Sequence, residues 1–89
     1  MGGFIGAVVI DGSIVQSLDI KGGFTYDEVI IRDSQVNGHA NVWTFLGDDF
    51  VELENSSFAS STFLNLGFGF DNYVNTGNSF AQTPIVIGA

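Results

Sequence analysis

The 89-residue chain has no cysteine, one proline and two cations, Lys21 and Arg32. Without thiols there is neither a disulfide framework nor a thiolate metal site, and the redox compartment stays open. Two cations against ten acidic residues set the formal net charge at −8. That balance cannot neutralise a track of phosphates and is repelled by anionic lipid, so nucleic acid and membrane are poor partners. Long hydrophobic runs are also missing, since no apolar stretch approaches the roughly 18–20 residues of a membrane helix. The run Phe4–Ile10 has no basic segment before it and is followed by Asp11-Gly12. It reads as a strand rather than a signal peptide, so a soluble chain is expected, with any export signal outside this stretch. Charged residues make up 13% of the chain, against about 25% in ordinary globular proteins. The length allows one small domain and excludes a two-domain enzyme.

What the chain does have is 45% hydrophobic residues, twelve glycines and nine phenylalanines. Enough apolar surface is available to fold or assemble, which excludes intrinsic disorder. Self-similarity is visible in the aspartates: Asp27, Asp49 and Asp71 are spaced by 22, each followed two residues later by Val29, Val51 or Tyr73. In the same frame Ile20, Val42, Leu64 and Val86 align, as do Phe24, Leu46 and Phe68, and Val36, Phe58 and Phe80, and each column is expected to stack as an interior ladder. Towards the N-terminus the frame sets Ile14, Val9 and Ala7 above Val36, Ile31 and Val29. Asn75 interrupts the column of Ile31 and Leu53, and Thr62 and Pro84 continue the column of Leu18 and Ala40.

Within each window the hydrophobic period is two, as in Val29/Ile31 against Glu28/Ile30/Arg32 and Val51/Leu53 against Phe50/Glu52/Glu54. Alternation of this kind marks half-buried strands. Gly22-Gly23, Asp33-Ser34, Asn37-Gly38, Gly47-Asp48, Asn55-Ser56, Gly67 and Gly77-Asn78 separate the runs with residues suited to tight corners. So short a repeat cannot bury its own apolar face and must stack on its neighbours. The expected fold is an all-β parallel β-solenoid (β-helix) of about four 22-residue coils. It forms a single domain over 1–89, with coils at about 1–14, 15–36, 37–58, 59–80 and 81–89.

The segments Gly22–Val29, Phe45–Val51 and Gly67–Tyr73 resemble degenerate copies of the RTX calcium nonapeptide G-G-x-G-x-D-x-U-x. Thr25 stands where the third glycine belongs, the second copy keeps only Gly47 and Asp49, and the third lacks the leading glycine. The 22-residue period with residues 47–58 is more similar to the right-handed parallel β-helix repeats of large extracellular surface proteins. The resemblance covers residues 15–80 and implies a secreted or cell-surface solenoid, with calcium as a stabilising ion and no catalytic residues.

The aspartate column is the sharpest candidate site. Carboxylates stacked about 4.8 Å apart repel by roughly 0.9 kcal/mol even in water. Calcium held by Asp27, Asp49 and Asp71, with Asp48, Glu28 or corner carbonyls as further ligands, is one remedy. Carboxylates that cap backbone N–H groups at each turn are the other. The Asp48-Asp49 pair invites a glycosidase reading, because glycoside hydrolysis needs two carboxylates. Only Arg32 and His39 are available as partners, however, and four coils offer little groove, so no enzyme is expected. His39, beside Gly38, reads as a solvated corner residue.

Alternation also sends Trp43 and Phe45 outward, towards Phe63 and Phe50, where exposed apolar side chains mark a contact surface for glycan or for a neighbouring chain. Neither terminal segment reads as a polar cap, which makes copies or neighbouring coils stacked end to end a candidate partner. Asn55-Ser56-Ser57 fits a glycosylation sequon, and the lack of a flat threonine ladder argues against ice binding. The function expected is a non-enzymatic structural or adhesive module of an extracellular or cell-surface protein. A carbohydrate-binding or carbohydrate-active fragment and a self-assembling fibre subunit are the alternatives.

Overall fold

The alternating runs and their glycine, asparagine and aspartate corners make twelve short strands in a computed structural model that describes residues 6–23 and 26–88. The first turn holds β1 (Ala7–Asp11), β2 (Ile14–Val15) and β3 (Leu18–Lys21). The second holds β4 (Glu28–Arg32), β5 (Gln35–Val36) and β6 (Ala40–Trp43), and the third β7 (Phe50–Glu54), β8 (Ser57–Phe58) and β9 (Thr62–Asn65). The fourth is β10 (Asn72–Thr76), β11 (Ser79–Phe80) and β12 (Ile85–Ile87). Three four-stranded sheets run β1-β4-β7-β10, β2-β5-β8-β11 and β3-β6-β9-β12, and every pairing is parallel. The rest of each coil supplies the long crossover that a parallel pair requires. The chain is a parallel β-solenoid of four turns, with no helix among the described residues.

From the second turn onward the register is 22, as in Val29↔Val51, Val36↔Phe58 and Val42↔Leu64. These columns form the core: Val29, Ile31, Val36, Val42, Val51, Leu53, Phe58 and Leu64 are essentially inaccessible. Phe58 and Phe80 stack with centroids 5.0 Å apart. Ile30 points outward but is nearly covered, beside Glu52 in register and the Arg32–Glu52 ion pair at 3.6 Å.

Between the first two turns the register is 21 in the first two sheets: Val8↔Val29, Ile10↔Ile31 and Val15↔Val36. The expected partners Ala7, Val9 and Ile14 therefore face out, with Val9 at 58% and Ile14 at 72% exposure. The cause is one extra residue in the corner Asn37-Gly38-His39 relative to Gln16-Ser17, which restores 22 by Leu18↔Ala40. A Cβ on Gly38 would collide with the Gln16 carbonyl oxygen, so the longer corner fits only because residue 38 has no side chain.

The Phe24/Leu46/Phe68 column needs a second correction. Phe24 lies outside the described residues, and Leu46 and Phe68 are exposed at 42% and 80%. The inward positions are Thr44 and Leu66, both fully buried. Immediately after them Phe45 (φ 58°) and Gly67 (φ 72°) adopt left-handed backbone conformations. That turn ends the strand alternation, so counting in twos fails beyond it.

A left-handed residue also follows each strand of the first sheet: Gly12, Asp33, Asn55 and Gly77. The next residues form a relay that the repeat arithmetic did not single out. Ser13 N–H donates to Ser34 Oγ (3.2 Å), Ser34 N–H to Ser56 Oγ (3.2 Å) and Ser56 N–H to Asn78 Oδ1 (2.9 Å). Each serine hydroxyl in turn donates to the carbonyl two residues back. At the C-terminal turn Asn78 Nδ2 reaches the Leu53 carbonyl and Asn75 Oδ1, both at 2.6 Å. Asn75, which breaks the Ile10/Ile31/Leu53 column, thus joins Asn78 in a polar pair across that end of the core.

Candidate functional site

Each aspartate of the 22-residue column precedes a strand of the first sheet and reaches back to the turn before it. Asp27 N–H donates to Asp49 Oδ1 and Asp49 N–H to Asp71 Oδ1, both at 2.9 Å, while Gly23 N–H donates to Asp27 Oδ2 at 3.0 Å. Asp27 is 0% and Asp49 1% exposed. One oxygen of each, Asp27 Oδ1, Asp49 Oδ2 and Asp71 Oδ2, is buried without a hydrogen-bond partner. Burial, which penalises the charged form, pushes Asp49 up to about 6 against the pull of the Asp27 N–H and the Thr44 hydroxyl, and the neighbouring carboxylates add to the rise. Burial raises Asp27 as well, opposed by the Gly23 N–H. Asp48 stands apart from the column: it is exposed, and its Oδ1 accepts from Phe70 N–H at 2.9 Å. Among the described residues no three His, Cys, Asp or Glu side chains converge as a metal-ligand set.

The second site is the outer face of the third sheet. Register places Asp19, Asn41, Phe63 and Ile85 in one outward column and Lys21, Trp43, Asn65 and Ile87 in the next. Trp43 is 40% exposed, lies edge-on to Phe45 (5.8 Å between centroids) and is tilted against Phe63 (6.2 Å). Of the two companions that alternation suggested, Phe63 joins the cluster and Phe50 opens β7 in the first sheet. Asp19 accepts from Asn41 Nδ2 and lies against His39 Nε2, each at 3.2 Å. The bond to His39, with that to Asn41, holds the Asp19 carboxyl below its usual range. His39 is exposed, as expected of a corner residue.

Phe45 is the unusual member. A bulky side chain in the left-handed region is disfavoured by roughly 1–2 kcal/mol. The next residue along the solenoid, Gly67, has φ 72°, and a Cβ on it would overlap the Phe45 carbonyl oxygen. Where the next coil has glycine, this one carries an aromatic ring. Trp43 and Phe45 border two grooves. One of about 330 Å³ is lined by Asp19, Lys21, Asn41 and Phe63, and a more apolar one of about 370 Å³ by Leu46, Gly67, Phe68 and Ile87. Phe68 and Phe70, at 80% and 87% exposure, extend this apolar edge into the corner before β10.

No family model matches the sequence, and neither the curated proteins nor the solved structures include a significant match to it.

Proposed function

We propose that the chain is a non-enzymatic structural and adhesive β-solenoid module of an extracellular or cell-surface protein, and that it makes contact through the outer face of the third sheet. Phe45 carries this reading. A strained backbone that holds an aromatic ring beside a half-exposed tryptophan gives nothing to the core, and strain of this sort gathers at sites of function. Trp43, Leu46, Phe68, Phe70, Ile85 and Ile87 are all exposed, on a scale that single scattered side chains do not reach. In this reading the aspartates stiffen the coil as turn caps, since each already accepts a backbone N–H. Carbohydrate recognition is favoured over fibre formation, because Trp43, Phe45 and Phe63 cluster on a lateral face of the second and third turns.

An array of immobilised glycans and extracellular-matrix proteins, probed with wild type and Trp43→Ala, tests the proposal. Capture by particular spots that Trp43→Ala loses, with its β-type circular dichroism intact, is the expected result. No specific capture, or equal capture by both proteins, would overturn it.

A further inference from the structure

The two outward columns of the third sheet change character along the solenoid axis. They begin with Asp19 and Lys21, pass through Asn41 and Trp43 to Phe63 and Asn65, and end with Ile85 and Ile87. The groove of about 330 Å³ lies at the polar-to-aromatic boundary. Its size falls at the lower end of the roughly 300–1,000 Å³ typical of ligand pockets, enough for one small ring. Aromatic surface comes from Trp43, Phe45 and Phe63, while Asp19, Asn41 and Lys21 supply acceptors and donors. Asp19 is set in place by His39 and Asn41 before any ligand arrives, so little ordering is left for binding to achieve.

From this juxtaposition we propose that the groove between Asp19, Asn41, Trp43 and Phe63 binds one neutral pyranose ring. A pyranose presents a C–H face that packs on an aromatic ring and an edge of hydroxyls that both donate and accept. The first matches Trp43 and Phe63, the second the Asp19 carboxylate, the Asn41 amide and the Lys21 ammonium. A purely apolar ligand would strip water from the Asp19 carboxylate and the Lys21 ammonium and offer no hydrogen bond in its place. A phosphorylated, sulfated or uronic ring would meet Asp19 on a chain of net charge −8. The sugar's neutral hydroxyls satisfy the groove without either penalty. This inference rests on the adhesive reading of the same face and names its ligand class.

Trp43 is the single tryptophan, so its emission reports on the groove directly. The test titrates the full chain with the methyl glycosides of glucose, galactose, mannose and N-acetylglucosamine, with cyclohexanol as an apolar control. At least one glycoside is expected to shift the emission saturably. Asn41→Ala, on the outer surface, should weaken that response roughly three- to tenfold, the loss of one hydrogen bond. Val9→Ala, exposed on the first sheet and remote from both grooves, should leave it unchanged. The inference is overturned if no glycoside gives a saturable shift, if Asn41→Ala binds like wild type, or if cyclohexanol matches the best sugar. Silence with every glycoside alongside Trp43-dependent capture on the protein spots of the array removes the sugar site and keeps the adhesive module. Silence in both removes both.

Discussion

Acid should stabilise this protein, the reverse of common behaviour. In the folded chain buried Asp49 keeps its proton up to about pH 6, whereas an ordinary aspartate loses it near 3.8. Between those values the native state binds more protons than the unfolded state, so stability falls as pH rises through the window. The ceiling, reached below pH 3.8, is about 3 kcal/mol. Moving from about pH 7.5 to about pH 5 gains about 1.4 kcal/mol of it, since pH 5 lies about one pH unit below the native pKa. For a domain of this size that corresponds to a rise in Tm of roughly 6–11 °C. Asp27, also raised by burial, acts with the same sign. Asp19 is held low by His39 and Asn41, so its contribution is lost only in stronger acid, below this range. Thermal melts by circular dichroism at the two pH values measure the effect. Asp49→Asn separates it from the general relief of negative charge, because the amide keeps an oxygen for the Asp27 N–H and carries no proton equilibrium. The variant, which never ionises at this position, should melt at pH 7.5 at least as high as wild type does at pH 5, with a flatter pH profile. A wild-type Tm that is level or lower at pH 5, or a variant with the full wild-type slope, would refute the reasoning.

Phe45→Gly places the residue its column favours into the left-handed corner, so Tm should hold or rise while Trp43-dependent capture is lost; a fall of more than a few degrees would mean that the ring serves the core. Melts in EDTA and in calcium at ~10⁻³ M, enough for weak extracellular-type sites, should coincide if the aspartates act as turn caps. A large calcium-dependent rise in Tm would instead make Asp27, Asp49 and Asp71 a metal site. Asn75→Leu with Asn78→Ser restores the apolar column and the serine relay at the C-terminal end, and should convert the protein to concentration-dependent association in sedimentation velocity. A strictly monomeric double variant would show that the asparagine pair does not guard that end.

Much of the architecture was legible because it repeats: three aspartates spaced by 22 and a period of two inside each window define stacked parallel strands. The third-sheet core column Ile20/Val42/Leu64/Val86 follows from the same arithmetic. Two features escaped it for local reasons. One extra residue at Asn37–His39 shifts the first turn by one, and in a strand a shift of one exchanges the faces, so Val8, Ile10 and Val15 take the places expected of Ala7, Val9 and Ile14. The left-handed backbone at Phe45 and Gly67 stops the alternation one residue after Thr44 and Leu66, which turns Leu46 and Phe68 outward. The serine relay was hidden because serine is common in every turn, and only the register shows that Ser13, Ser34, Ser56 and Asn78 are neighbours. Of the candidate residues, Trp43 and Phe45 could be found by alternation, whereas Asp19 and Asn41 needed the third-sheet register to join them.

Because paired strand residues stand 21 or 22 positions apart along the chain, the stack resembles a zipper whose teeth are whole coils. Tension applied through the two ends would peel one coil from its neighbour, breaking one row of contacts in all three sheets before the next row is loaded. Each rupture would release 22 residues, roughly 75 Å of extended chain. A tether of this design yields in equal steps, and it dissipates a pull coil by coil while the turns that hold Trp43 and its neighbours stay intact until their own row is reached.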